Sequence, residues 1–185
     1  MTEKASSGSS PEPFQGLVQV FTGNGKGKTT AALGTVLRAL GHGLRVYIIY
    51  FMKGDYPYGE RRILAELPNV DFASFGSLEF VDPANVKPEE IEQAGQALAA
   101  AREAMLSGNY DLVILDEVNV AVAWKLVALD EVLKLIGNKP ADVELILTGR
   151  YADAELIKQA DLVTEMQQVK HPYEKGIKAR KGIER

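Results

Sequence analysis

Residues 22–30 read Thr-Gly-Asn-Gly-Lys-Gly-Lys-Thr-Thr. A short apolar run, Leu17–Phe21, precedes them, and a helix candidate, Thr29–Leu40, follows. Strand, glycine cluster, then Gly27-Lys28-Thr29 at a helix opening is the context that binds a phosphate chain. Glycines let backbone N–H groups converge on phosphate oxygens without Cβ obstruction. The helix N-terminus adds unpaired donors and a partial positive charge. Lys28 supplies a point charge, and the Thr29 hydroxyl suits Mg²⁺. The usual spacing, G-x-x-x-x-G-K-[ST], has glycine where this chain has Thr22, so the cradle is a variant. Lys26 is an additional cation, either facing solvent or ligating phosphate. The plain alternative, a glycine-rich turn with a chance Lys-Thr pair, leaves the flanking strand and helix unexplained.

Two further stretches carry chemistry. Leu112-Val-Ile-Leu-Asp116-Glu117 is an apolar strand ending in acids. Behind a phosphate loop, such a carboxylate sits near the metal of a bound nucleotide. Asp116 and Glu117 are assigned jointly to that Mg²⁺, directly or through water. Alternatively, one of them caps a helix starting at Val118. Leu147-Thr148-Gly149-Arg150 follows another apolar strand. The Arg150 guanidinium there neutralises a phosphate chain or pairs with surface carboxylates.

The elements that position these residues alternate along the chain. Leu44–Met52 is near-continuously apolar, as a strand buried on both faces would be. Glu60–Leu67 reads as a helix, Val70–Phe75 as a strand, and residues 76–87 as a loop. Pro88 with Glu89 and Glu90 opens a long helix whose apolar stripe is Ile91, Ala94, Leu98, Ala101 and Met105. Leu129–Ile136 and Ala152–Ala160 read as helices, and Val143–Leu147 and Leu162–Glu165 as strands. The pattern predicts an α/β fold: a single P-loop NTPase-like (RecA-like) domain over residues 16–185, with a mostly parallel sheet and helices on both faces. Ligands in such folds bind beyond the carboxyl ends of the strands. Residues 1–15, with four serines and two prolines, predict a flexible segment.

Composition narrows the function classes. The 185 residues are 46% apolar and 25% charged, the profile of a soluble globular domain. No window approaches about 18 consecutive apolar residues, and the N-terminus lacks a secretory apolar stretch. A cytoplasmic protein without a membrane partner is therefore expected. The absence of cysteine excludes disulfides, thiolate metal sites and a cysteine nucleophile, and only His42 and His171 are histidines. The net charge of −4 argues against bulk nucleic-acid binding. It conceals a tail, residues 170–185, at +4. That tail is either a solvated terminus or a cationic flap near an anionic ligand.

Together these residues resemble the P-loop class of ATP:corrinoid adenosyltransferases, from about Gly16 to the C-terminus. The matching blocks are Val20–Ala32 with Arg38 and Gly41-His42-Gly43, Phe51-Met-Lys-Gly54 with Gly59-Glu-Arg61, and Val113–Glu117. They continue with Thr148-Gly-Arg150, Ala160-Asp161, Val163–Met166, Val169–Tyr173, Gly176, Lys178-Ala179 and Gly182-Ile183-Glu184. The resemblance implies attack of corrinoid Co(I) on C5′ of ATP, with tripolyphosphate leaving and ATP reversed in the cradle. ATP is thus a co-substrate, the corrinoid a substrate and Mg²⁺ the metal. It implies that Thr22, Gly23, Asn24, Gly25, Lys26, Gly27, Lys28, Thr29 and Thr30, with Arg38 and Arg150, meet the nucleotide. Thr29, Asp116 and Glu117 hold the metal, and Lys28, Glu117 and Arg150 carry the catalytic roles. It further implies a homodimer and an external reductase or reductant for Co(I).

Family members often carry Gly-Phe-Thr-Trp after the third strand, where aromatics help displace the lower axial corrinoid ligand. Here the stretch reads Phe75-Gly-Ser-Leu-Glu-Phe80, and the only tryptophan is Trp124. Phe75 and Phe80 either substitute or serve as core and loop anchors. Two other functions compete: a P-loop ATPase or nucleotide kinase, with Glu117 positioning water, and a non-catalytic binder of ATP or corrinoid. The products separate them: tripolyphosphate, ADP, or none.

Overall fold

Strand β2 (Val46–Tyr50) shows how the sheet is built. Val46, Ile48 and Tyr50 pack with one apolar cluster, while Ile49 and the following Phe51 pack with another. Alternate side chains leave opposite faces of a strand, so a continuous apolar run requires cover on both sides. The same alternation divides Leu112 and Ile114 from Val113 and Leu115 in β4 (Leu112–Asp116).

The computed structural model describes residues 14–184 except Leu78. Most of the segment expected to be flexible, residues 1–13, lies outside the described residues. The remaining strands are β1 (Val18–Thr22), β3 (Val70–Ser74), β5 (Glu144–Thr148) and β6 (Leu162–Glu165). All neighbouring strands pair in parallel, in the order β3-β2-β4-β5-β1-β6.

Strand order and handedness decide which face each helix covers. The connections β1–β2 and β2–β3 run one way across the sheet, through α1 (Lys28–Gly41) and α2 (Gly59–Leu64). The later connections run the other way. They carry α3 (Pro88–Leu106), then α4 (Val118–Ala123) with α5 (Leu129–Gly137), then α6 (Ala154–Gln159). Parallel crossovers are right-handed, so reversing direction moves the helices to the opposite face. The two clusters divide accordingly: α1 and α2 on one face, α3 to α6 on the other. The helices after the neighbours β1 and β5 therefore leave on opposite faces and open a crevice at their carboxyl ends.

Helix α3 starts at Pro88 as expected, and the Glu90 carboxylate accepts from the Lys87 amide at 2.8 Å. Its stripe differs in one residue. Ile91 is exposed, and burial begins a turn later at Ala94, continuing through Ala97, Leu98, Ala101, Ala104 and Met105. The alanines allow the helix to lie close to the sheet. Among the described residues no helix is long and apolar enough to cross a membrane.

The entry to β1 is fastened by polar groups. A Cβ on Gly16 would lie 2.1 Å from the Val143 carbonyl oxygen, which explains the glycine. Lys139 Nζ donates to the carbonyls of Gly16, Pro140 and Val143 at 2.7–2.9 Å. Replacing Lys139 with Met strands these carbonyls and should lower the unfolding free energy by about 1–3 kcal/mol. Urea denaturation measures this. A change within error would show that water replaces the ammonium without loss.

Candidate active site

The loop between β1 and α1 takes its shape from two demands. Gly23 and Gly27 have φ of 94° and 117°, a left-handed region that favours glycine. Gly25 has a different reason. Its amide donates to the Met166 carbonyl at 2.6 Å, and a Cβ there would meet the Met166 and Gln167 carbonyl oxygens at 2.7 Å. The cradle thus rests against the chain leaving β6. Lys28 Nζ closes it from inside, donating to the Gly23 and Gly25 carbonyls at 2.8 and 2.7 Å. Burial pushes the Lys28 ammonium below its ordinary value; Glu117 and Asp116 oppose this, and Arg150 adds to it. A polyanion placed here would relieve that cost.

Asp116 binds the cradle to the rest of the sheet edge. Its side chain is 1% exposed. Oδ1 accepts from Thr29 Oγ1 at 2.9 Å and Thr148 Oγ1 at 2.7 Å, and Oδ2 accepts from Lys53 Nζ. Register explains the convergence: Tyr50 pairs with Asp116, and Phe21 with Thr148. Threonine, lysine and aspartate therefore arrive from consecutive strand ends. Burial opposes the Lys53 charge, but Asp116 and Glu117 outweigh it and raise the ammonium above its ordinary value. Its Nζ lies 5.5 and 5.2 Å from the Tyr50 and Tyr58 ring centroids, an added cation–π attraction.

Glu117 occupies the N-cap position of α4 without capping it through its side chain. It sits at φ 68° before α4, its side chain makes no capping hydrogen bond, and its amide donates to Thr148 Oγ1 at 3.0 Å. Its carboxylate faces the cavity. Burial raises its pKa, as does Asp116, against the opposing pull of Lys53, Lys28 and Arg150. Gly149 makes room for it, since a Cβ there would approach Glu117 Oε2 to 3.2 Å.

The cavity in front of these groups holds about 590 Å³, within the usual range for small-molecule sites. Gly25 through Thr30 form one wall, with Lys53, Glu117 and Arg150 beside them. Phe80, Val81, Trp124 and Tyr151 add apolar lining. The tail supplies a further wall through His171–Tyr173, Ile177–Arg180, Ile183 and Glu184, including the cations Lys178 and Arg180. Arg180 holds the Glu184 carboxylate down at about 2.

The structure therefore brings Gly25, Lys26, Gly27, Lys28, Thr29, Thr30, Glu117 and Arg150 to one cavity. Lys26 is exposed on its wall. Thr22, Gly23 and Asn24 are not among its lining residues. The Thr22 hydroxyl instead accepts from the Ala152 amide at 3.2 Å, tying the loop after β5 to the cradle. Arg38 lies in the last turn of α1, about 15 Å along the axis from Lys28, and does not line the cavity. Phe75 packs against the core, whereas Phe80 is 98% exposed and lines the cavity. Lys53, Tyr58, Thr148 and Trp124 were not assigned from the sequence as site residues. Lys53 and Thr148 stood inside recognised blocks, but only strand order reveals that they meet Asp116.

The oxygen donors suit Mg²⁺. Among the described residues no group of three or more His, Asp or Glu side chains is placed to hold a metal alone. A hydroxyl and two carboxylates, completed by phosphate oxygens and water, match that ion's habit. Asp116 already accepts three hydrogen bonds, whereas Glu117 and Thr29 line the cavity.

Comparison with known proteins adds the family. Residues 14–185 match the family described as ATP:corrinoid adenosyltransferase BtuR/CobO/CobP. The chain is 37% identical over 170 residues to the corrinoid adenosyltransferase of Escherichia coli K12, covering 92% of this chain and 86% of that protein. It is 39% identical over 171 residues to the corrinoid adenosyltransferase of Pseudomonas aeruginosa, covering 92% and 84%. It is 38% identical over 171 residues to the corrinoid adenosyltransferase CobA of Salmonella typhimurium, covering 92% and 86%. The chain belongs to this family.

Thr148→Val keeps side-chain volume but strips Asp116 of a donor and the Glu117 amide of its acceptor. We expect a loss of about 1–3 kcal/mol in urea unfolding and about tenfold weaker MgATP binding by titration calorimetry. Thr148→Ser should retain both. Equal behaviour of Val and wild type would remove Thr148 from the site.

Proposed function

We propose, from membership in the ATP:corrinoid adenosyltransferase family, that this chain moves the 5′-deoxyadenosyl group of ATP onto Co(I) of a corrinoid and releases tripolyphosphate. The observation carrying this reading is the mixed lining of the cavity. Lys28, Lys53, Arg150 and the cradle line it together with the apolar groups Phe80, Val81 and Trp124. The charged groups suit a phosphate chain; the apolar groups suit the face of a large macrocycle.

The reaction asks little covalent chemistry of the protein. The Co(I) electron pair attacks C5′ and forms the Co–C bond. The C5′–O bond breaks, its electrons leave with tripolyphosphate, and cobalt becomes formally Co(III). No protein nucleophile is needed, which suits a chain without cysteine. The protein's part is orientation and charge stabilisation. Lys28 and the amides of residues 26–30 hold the phosphates, Arg150 adds charge, and Lys26 and Thr30 extend the cradle outward. Thr29 and Glu117 would hold Mg²⁺, with Asp116 orienting Thr29 and water. The bound ion would neutralise charge on the phosphate chain.

An external reductant supplies Co(I) in this reading. The two substrates meet in the ATP-rich, reducing cytoplasm. Homodimerisation belongs to the same reading, and β6, exposed along its length at the sheet edge, is compatible with it.

The test is anaerobic mixing of MgATP with chemically reduced cob(I)alamin and the protein. A light-sensitive Co–C absorption spectrum should develop, and Lys28→Ala should slow it by about 100-fold or more. An unchanged corrinoid spectrum, with cob(I)inamide also tried, would contradict the assignment.

A further inference from the structure

Outside the first cavity, and apart from the lone Asn119 Oδ1, the buried hydrogen-bonding capacity left unused among the described residues is gathered in one cluster. Tyr50 Oη, Arg61 Nε, Arg61 Nη2 and Ser74 Oγ are shielded from solvent and have no hydrogen-bond partner. They are neighbours. Tyr50 and Ser74 pair across β2 and β3, and the Arg61 guanidinium lies 4.5 Å over the Tyr50 ring. Arg61 and Ser74 also line a second cavity of about 500 Å³, beside Arg62, Phe72 and Tyr58. Tyr58 forms part of both cavities.

Arg61 is already held in place. Its Nη1 donates to the Gly54 and Tyr56 carbonyls at 2.6 and 3.3 Å, and it stacks near the Tyr58 ring as well as Tyr50. The free Nε and Nη2 form the side-on fork that matches a carboxylate or phosphate. No carboxylate is within ion-pair distance of Arg61 among the described residues, although Asp55 lines the same cavity. A guanidinium has donors only, so what completes it must accept. Folded proteins seldom leave such groups unmet. A single water offers two acceptor positions, whereas an oxyanion offers several and supplies the missing charge.

We propose that Arg61, Ser74 and Tyr50 form a second site, flanking the phosphate cradle, that binds a carboxylate or phosphate oxyanion. Two sources share this chemistry: an anionic group carried on the corrinoid substrate, such as the phosphodiester of cobalamin, or free inorganic phosphate. The first source rests on the proposed function; the site itself does not. Through the shared Tyr58 and the cation–π contacts to Lys53, an occupant here would bear on the wall of the reaction cavity.

The experiment uses the full chain with its cradle filled by a non-hydrolysable MgATP analogue. Inorganic phosphate is titrated by calorimetry, and KM is measured for cob(I)alamin and for cob(I)inamide, which lacks the phosphodiester. Phosphate should bind with the cradle filled. Ser74→Ala, which circular dichroism should show folded, should weaken that binding about tenfold, and Arg61→Gln should weaken it further. A substrate-borne oxyanion predicts that Ser74→Ala raises KM about tenfold for cob(I)alamin only, at unchanged kcat. Free phosphate predicts weakened phosphate binding with both KM values unchanged. Absence of phosphate binding in wild type, together with KM values unchanged or raised equally by Ser74→Ala, would overturn the site and leave a trapped water only. If the chain proves inactive on corrinoids, the phosphate titration still decides.

Discussion

The carboxylate of Asp116 is the interaction on which the site depends. A group 1% exposed must have its lone pairs met or it destabilises the fold. Here Thr29, Thr148 and Lys53 meet them. These donors come from the start of α1, the end of β5 and the chain leaving β2. Only a sheet with β4 between β2 and β5, and β1 next to β5, delivers all of them to one point. The strand order is therefore part of the chemistry. It fixes the Thr29 hydroxyl and leaves Glu117 to line the cavity.

From this follows a site built to hold a polyanion. Lys28 rests on cradle carbonyls and Lys53 rests on Asp116. Burial penalises both cations, and the neighbouring carboxylates offset that penalty to different degrees. A bound phosphate chain would add opposite charge where the positive charges are already fixed, so little reorganisation is needed as negative charge grows on the leaving group. The tail closes the same space with Lys178 and Arg180. Its local positive charge is thereby directed at the cavity despite the net negative charge of the chain.

The residues that act through sequence-local geometry were legible from the chain alone. Glycine, lysine and threonine between a strand and the mouth of a helix point to a phosphate cradle, and Pro88-Glu89-Glu90 marks a helix start. The continuous apolar runs disclosed strands covered on both faces, hence the parallel sheet. What escaped was set by long-range register. Lys53 reads as an ordinary lysine after a strand until β2 is seen beside β4. Thr148 reads as a residue preceding Arg150 until its hydroxyl is seen between Asp116 and the Glu117 amide. Gly25 reads as room for a phosphate, yet it is the carbonyls of Met166 and Gln167 that leave no space for a Cβ. Arg38 shares a helix with Lys28, but helical rise carries it away from the cavity.

In the proposed reaction the cradle holds the triphosphate as a leaving group rather than as a phosphoryl donor. The most direct measurement is the ³¹P NMR spectrum of a completed anaerobic reaction with MgATP and cob(I)alamin. One tripolyphosphate for each Co–C bond formed is the expected result. ADP with inorganic phosphate, and no tripolyphosphate, would contradict that reaction and make the chain an ordinary nucleotide hydrolase.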